Sequence, residues 1–226
     1  MQYGAIFDAD GTLLDSMHIW ETAGKRCMQL LGIPAEESLA QEMAQMSLDE
    51  SAAYMHEKFH TTQSPAEIKA GVLAVVADFY AHEAQPKAGV RAFLAGMHAH
   101  GIPMVIATSS HRAHIAAAME RLGFSHYFPR IFTCEEVGAG KRQPVIYQQA
   151  AEYLGLPPER VFVFEDVLHA VRAANAAGFV TVGVYDAMSA ADTEKMRAEC
   201  RIYLHDLTDF DAFRRIAISY KRSVST

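Results

Sequence analysis

The chain has 226 residues, with 20 Lys+Arg against 27 Asp+Glu, a formal net charge of −7 and 50% hydrophobic residues. That length suits one large domain, or a domain with a smaller companion, and a core that needs no staples, and the composition excludes wholesale disorder. The acidic balance argues against nucleic acid or an anionic membrane surface as partner, because both need a basic footprint. Cys27, Cys134 and Cys200 are far apart and in no CxxC spacing. They read as reduced thiols of a cytoplasmic protein, with neither a disulfide framework nor a zinc site. The first apolar stretch, from Tyr3 to Phe7, is cut at once by Asp8 and Asp10. It is too short and too acidic for a signal peptide, and no apolar run of about 18 residues exists to span a bilayer.

In chain order, strands are predicted at Gln2–Asp8, Ile102–Thr108, Arg130–Thr133, Val161–Glu165, Phe179–Val184 and Arg201–Leu204. These are near-continuous apolar runs, as expected of strands buried on both faces. Helical patterns cover roughly 89–100, 111–122, 144–154, 167–177 and 189–199, and Gly101, Gly123, Gly155 and Gly178 stand where several of them should stop. Alternating strands and helices predict an α/β fold, a parallel sheet covered by helices. Residues 17–83 break the alternation with helical patterns alone, at about 17–31, 48–59 and 65–83. Ser47 with Glu50 and Ser64 with Glu67 form capping boxes at two of the starts. The expected organisation is a core of 1–16 and 84–226 with a small all-helical domain, 17–83, inserted after the first strand. The tail Ser219–Thr226 is expected to fray.

The densest chemical signal is Asp8-Ala9-Asp10-Gly11-Thr12, directly after the first strand. The carboxyl ends of strands are where ligands bind in an open α/β sheet. Gly11 lets backbone amides approach an anion, although Asp-Gly taken alone also fits an ordinary turn. Two further strands end in polar groups, one in Thr108-Ser109-Ser110 and the other in Glu165-Asp166. If these strands are parallel neighbours, Asp8, Glu165 and Asp166 converge. Three clustered carboxylates repel unless a cation neutralises them, and oxygen ligands favour Mg²⁺. Lys141, in Gly138-Ala139-Gly140-Lys141, can supply further positive charge.

Taken together, Asp8-x-Asp10-Gly11-Thr12, then Thr108/Ser109, then Lys141, then Glu165-Asp166 resemble the four motifs of the haloacid dehalogenase superfamily, in order and spacing. The helical insertion resembles the C1 cap of its β-phosphoglucomutase-like phosphatases. The resemblance implies a Rossmann-like core and a Mg²⁺-dependent phosphatase acting through an aspartyl-phosphate. Asp8 would be the nucleophile and Asp10 the general acid and base, with its carbonyl on the metal. Asp166 would bind Mg²⁺ directly and Glu165 directly or through water. Thr108, the Ser109 amide and Lys141 would hold phosphoryl oxygens. The cap would close over the site, hinged near Asp15–Met17 and Ala84–Pro86.

Asp10 itself argues against dehalogenation, since a departing halide needs no proton. Leu48 stands where sugar phosphomutases of this type have a cap arginine for the second phosphate, with Gln45 in place of a usual glycine. That favours hydrolysis over phosphomutase chemistry. Arg142, Val145 and Val167 are further departures around the loop lysine and the fourth motif. A phospho-receiver signalling domain combines similar groups, but Thr133-Cys134-Glu135 offers no Asp to phosphorylate on the later strand. The expected partner is a small phosphorylated metabolite, with no nucleic acid, membrane or obligate protein partner. Residues 17–83 carry 4 Lys+Arg and 10 Asp+Glu. So acidic an insertion suits a substrate whose other end is neutral or cationic. His98, His100, His111 and His114 read as surface positions, with His111 the one to test for substrate contact; His18, Trp20 and Tyr54 are candidates for it in the insertion, although Trp20 reads more readily as a packing residue.

Overall fold

Runs of Val, Ile, Phe and Ala, bounded by polar and glycine punctuation, form the strands of a parallel sheet in the computed structural model, which describes residues 3–224. In chain order, β1 (Gly4–Phe7) leads through a tight turn to a two-residue strand, β2 (Leu14–Asp15). Four helices follow: α1 (Ile19–Leu30), α2 (Ser38–Met43), α3 (Leu48–Phe59) and α4 (Pro65–His82). Then β3 (Gln85–Pro86) pairs antiparallel with β2, with Leu14 opposite Pro86 and Asp15 opposite Gln85. From there the chain makes α5 (Val90–Ala99), β4 (Met104–Thr108), α6 (Arg112–Leu122), β5 (Ile131–Thr133), α7 (Cys134–Val137) and α8 (Val145–Leu154). It ends with β6 (Val161–Glu165), α9 (Leu168–Ala176), β7 (Val180–Val184), α10 (Thr193–Glu199), β8 (Ile202–Leu204) and α11 (Phe210–Val224).

The six-stranded sheet has the order β5-β4-β1-β6-β7-β8, with every pairing parallel. β1 lies between β4 and β6, where the order of strands reverses, so its carboxyl end opens on the crevice that such a sheet leaves for ligands. Every residue of β1, β4, β6 and β7 is buried. On one face Phe7 stacks on Phe164 at 4.2 Å, and Phe213 of α11 packs against Phe93, Phe162 and Phe164. On the other, Ile6, Val105 and Val163 meet Ile146, Ala150, Ala170 and Ala174. Each such aromatic or branched side chain contributes about 1.5–3 kcal/mol on burial, which holds the strand ends rigidly in register.

The contacts divide the chain into two compact units, Met1–Asp15 with Gln85–Thr226, and Ser16–Ala84. Within Ser16–Ala84, α4 packs on α1 and α3, with Ile19, Met28, Met55, Val76 and Phe79 buried. A Cβ at Gly71 would stand 2.8 Å from Cys27 Sγ, so the close approach of α4 to α1 requires glycine there. Both capping boxes form, Ser47 with Glu50 and Ser64 with Glu67. At the ends of α6 and α8, Gly123 (φ 74°) and Gly155 (φ 67°) take the left-handed conformation expected of them.

The structure differs from the sequence reading in several elements. α2 has six residues and one buried side chain, Leu39, too little for a helical period to stand out. β2 and β3 have two residues each and no pattern at all. The predicted helix 189–199 divides into a 3₁₀ turn at Ala187–Asp192 and α10, because the Asp186 carboxylate caps Met188 N and starts the turn early. The tail expected to fray is helical as far as Val224: Asp209 caps α11 at Ala212 N, and Phe213 and Ala217 bury its inner face. Gln2, Ser225 and Thr226 lie outside the described residues.

Candidate active site

In β1 and β6, Phe7 is opposite Phe164, and Asp8 N donates to Phe164 O at 2.9 Å. One residue further on, the two strand ends therefore present Asp8 and Glu165 side by side, with Asp166 next. A ligand oxygen from each of these three buried carboxylates lies within 4.8 Å of the others. On the other side of β1, Phe7 is opposite Ile106, which brings buried Thr108 to the same edge. Thr108 Oγ1 accepts from Ser110 N at 3.0 Å. Ser109 is exposed, and its hydroxyl lies 3.4 Å from Cys134 Sγ.

The turn after Asp8 is closed by its own backbone. Leu13 N and Leu14 N both donate to Ala9 O, and Gly11 N donates to Leu14 O at 2.9 Å. Gly11 has φ 77°, and a Cβ there would lie 2.8 Å from Asp166 Cγ. Glycine is required twice, for the left-handed backbone and for the approach of the carboxylate. Asp10 stands at the edge of the site, where Ser110 Oγ donates to its Oδ2 at 2.6 Å.

Lys141, 5% exposed, comes from the segment between α7 and α8 and donates to Asp8 Oδ1 and, at 2.7 Å, to Glu165 Oε1. Tyr147 of α8 donates its hydroxyl to the same Glu165 Oε1 at 2.7 Å. Glu165 Oε2, Asp166 Oδ2 and Thr12 Oγ1 are buried without a hydrogen-bond partner. Buried polar atoms are rarely left so, and here two of the three belong to the acidic cluster.

Charge explains the electrostatics. Burial pushes the Asp8 carboxyl well above its usual value. Lys141 opposes that shift, while Glu165, Asp166 and Asp10 add to it. Asp166 is pushed up to about 7, by burial first and by Glu165 second. Burial alone would lower the Lys141 ammonium, but Asp8 and Glu165 outweigh it and raise its pKa. Burial and then Glu165 raise the Tyr147 hydroxyl, so it stays a proton donor. One ammonium faces three carboxylates, a deficit of positive charge at a point where two carboxylate oxygens lack partners. The donor set is all oxygen, which fits a hard divalent cation rather than zinc.

Of the residues the sequence points to, the structure joins Asp8, Lys141, Glu165 and Asp166 directly and brings Asp10 and Thr108 to the same edge. His111 is exposed, 4.0 Å from Glu135. In Ser16–Ala84, Trp20 is half exposed, His18 packs edge-on against Phe79, and Tyr54 donates to Glu42. The sequence gives no role to Tyr147 or Ser110. Tyr147 follows Lys141 by six residues, one turn into the next helix, a spacing that could have drawn notice. Ser110 meets Asp10 across 100 residues, which no local pattern reports.

The profile of the haloacid dehalogenase-like hydrolases matches residues 4–178. Validoxylamine A 7′-phosphate phosphatase of Streptomyces hygroscopicus subsp. limoneus is 29% identical over 205 residues, 91% of this chain and 94% of that one. Hexitol phosphatase A of Escherichia coli K12 is 31% identical over 209 residues, 90% of this chain and 91% of that one. A Thermotoga maritima structure provisionally named a β-phosphoglucomutase superposes with a TM-score of 0.81 at 25% identity, covering 95% of this chain and 99% of that one. With a parallel sheet, an acidic cluster at its central strand ends and relatives that are phosphatases over almost their whole length, the chain belongs to the haloacid dehalogenase-like hydrolase family and is an enzyme of its phosphatase kind.

Proposed function

We propose that this enzyme hydrolyses a small phosphomonoester through an aspartyl-phosphate on Asp8, with Mg²⁺ held by Asp8, Glu165, Asp166 and the Asp10 carbonyl. The observation that carries the reading is the cluster itself: three buried carboxylates, one ammonium and two unpartnered carboxylate oxygens at the central strand ends. Bound there, Mg²⁺ would supply the positive charge that keeps Asp8 ionised and that shields an incoming phosphate dianion from it.

A carboxylate oxygen of Asp8 attacks phosphorus in line, and the P–O bond to the departing alcohol breaks. Asp10 gives its proton to that oxygen, and Lys141 and Thr108 hold phosphoryl oxygens together with the Ser109 amide. Water then attacks the phosphorus, Asp10 takes its proton, and the bond to Asp8 breaks to release phosphate. The Ser110 hydroxyl donates to Asp10 Oδ2 and so orients the carboxyl. General acid–base help of this kind is worth about 10²–10⁴-fold, most for a poor leaving group.

The likeness to a β-phosphoglucomutase favours a second reading, a sugar phosphomutase. Charge in the inserted unit speaks for hydrolysis. Lys25 pairs with Glu37, Arg26 with Glu83 at 2.8 Å, Lys58 with Glu42 and Lys69 with Asp49 at 2.7 Å. All four Lys/Arg of 17–83 are thus engaged within their own unit, and Leu48 begins α3 where the mutase arginine would stand. A substrate with one phosphate and a neutral or cationic remainder suits such a unit. No described helix is long and apolar enough to cross a membrane, which is compatible with a cytoplasmic metabolite phosphatase.

The test is phosphate release from a panel of phosphorylated metabolites, with and without Mg²⁺, by the wild type and Asp8→Asn. Turnover that requires Mg²⁺ and disappears in Asp8→Asn, with an unchanged circular dichroism spectrum, is expected. Full activity in Asp8→Asn would sink the mechanism, and isomer interconversion without phosphate release would favour the mutase.

A further inference from the structure

The turn that carries Asp10 is held from outside by a lysine that belongs to none of the four motifs. Lys87 follows β3, at the point where the chain re-enters the core unit. Its backbone N–H donates to Leu13 O at 2.9 Å. Its ammonium donates to Gly11 O at 2.6 Å, to Tyr185 O at 2.6 Å and to Asp186 Oδ2 at 2.8 Å. An ammonium has three protons, so each of its donors is directed at a fixed acceptor. Both side chains are largely buried, 17% exposed for Lys87 and 8% for Asp186. Asp186 is fixed in turn, because its Oδ1 accepts from Met188 N at 2.9 Å.

Three stretches of chain far apart in sequence therefore meet at one ammonium: the turn after β1, the segment after β3 and the end of β7. The contact with Gly11 fixes the plane of the Gly11–Thr12 peptide, directly after Asp10. Gly11 is left-handed and has no side chain to anchor it, so the turn draws orientation from partners outside itself. Its inner hydrogen bonds, from Leu13 and Leu14 to Ala9, close the loop but do not fix it relative to β7.

We infer that Lys87 is a positioning residue for the proposed hydrolysis: by holding Gly11 O and Leu13 O against the anchored end of β7, it aims the Asp10 carboxyl at the departing oxygen. This rests on the phosphatase reading of the site. It does not touch substrate. Misplacing a reacting group by about 1 Å can cost about 100-fold, so the hold has kinetic consequences.

The test compares the wild type, Lys87→Met and Lys87→Met/Asp186→Asn, the last leaving no unpaired buried carboxylate while retaining an acceptor for Met188 N. Each is assayed as the full chain with Mg²⁺ on an aryl phosphate, whose leaving group needs no proton, and on alkyl phosphates, whose leaving groups do. In both variants kcat/KM, which reports formation of the aspartyl-phosphate and not its common hydrolysis, should fall about tenfold or more further for alkyl phosphates than for the aryl phosphate. KM should change little. Amide hydrogen exchange over residues 9–15 should quicken in both. Equal fractional losses of kcat/KM on the two substrate classes would report loss of folded enzyme and overturn the inference, as would unchanged kcat/KM or unchanged exchange. If the wild type hydrolyses neither class, the phosphatase reading falls instead, and unchanged exchange would still refute the hold of Lys87 on the turn.

Discussion

At the ends of β1 and β6, Asp8 and Glu165 share the Lys141 ammonium beside Asp166, with side chains no more than 9% exposed. In Ser16–Ala84, by contrast, each Lys or Arg meets a carboxylate at the surface, and the Glu37 and Asp49 side chains are 86% and 78% exposed. The ionic bonds look alike on paper, but their surroundings differ. Buried charges cannot fall back on water, so each missing partner is felt in full. Exposed charges exchange one solvation for another and gain little. The core unit thus buries three carboxylates around one ammonium, and the inserted unit pairs its cations within itself.

The largest break of this contrast is Lys141→Met. It leaves Asp8 and Glu165 buried with no cation, and it should abolish turnover and cost about 3 kcal/mol of stability. Urea melts with and without Mg²⁺ check it, because the added cation should return part of the loss. Unchanged stability would mean that the carboxylates are balanced by something other than Lys141.

A smaller effect follows from proton binding. Asp166 rises from the usual 3.8 to about 7 in the folded chain, so between those values the native state binds more protons than the unfolded one. Metal-free stability from this group is therefore full below about pH 4 and is lost as the pH rises through about 7. Mg²⁺ binds the deprotonated form and displaces that proton. The rise in Tm on adding Mg²⁺ should accordingly be larger at about pH 8 than at about pH 5. A rise that is the same at both would place the metal away from Asp166.

The same contrast governs what could be read in the sequence. Strands buried on both faces announce themselves as apolar runs, so β6 is legible to the residue. Asp8, Thr108 and Glu165-Asp166 are legible because each stands immediately at or after such a run, and the parallel sheet aligns those ends. In the inserted unit, α3 and α4 show through their capping boxes. What stayed hidden depends on chain crossings: Lys87 on Gly11 across 76 residues and Ser110 on Asp10 across 100. Neither has a local signature, since Lys and Ser are ordinary in loops. α11 carries its helical period in Phe210, Phe213 and Ala217, but the charged and polar residues that end it read as a tail.

The smallest predicted effect sharpens the comparison most directly. Lys69 donates to both oxygens of Asp49, at 2.7 and 2.9 Å, linking α4 to the first turn of α3. By distance this ion pair matches the buried pair of Lys141 with Glu165 at 2.7 Å. Its side chains are 36% and 78% exposed, however, and water and salt screen the attraction while the long lysine side chain loses rotamer freedom. Asp49 also lies near the start of α3, where the helix dipole favours it without any lysine. Lys69→Ala should therefore shift Tm by no more than about 2 °C and leave phosphate release unchanged. A fall of about 5 °C or more would show that ion pairs in the inserted unit carry its packing, and the division between a charge-strained core and a charge-satisfied insertion would then have to be drawn elsewhere.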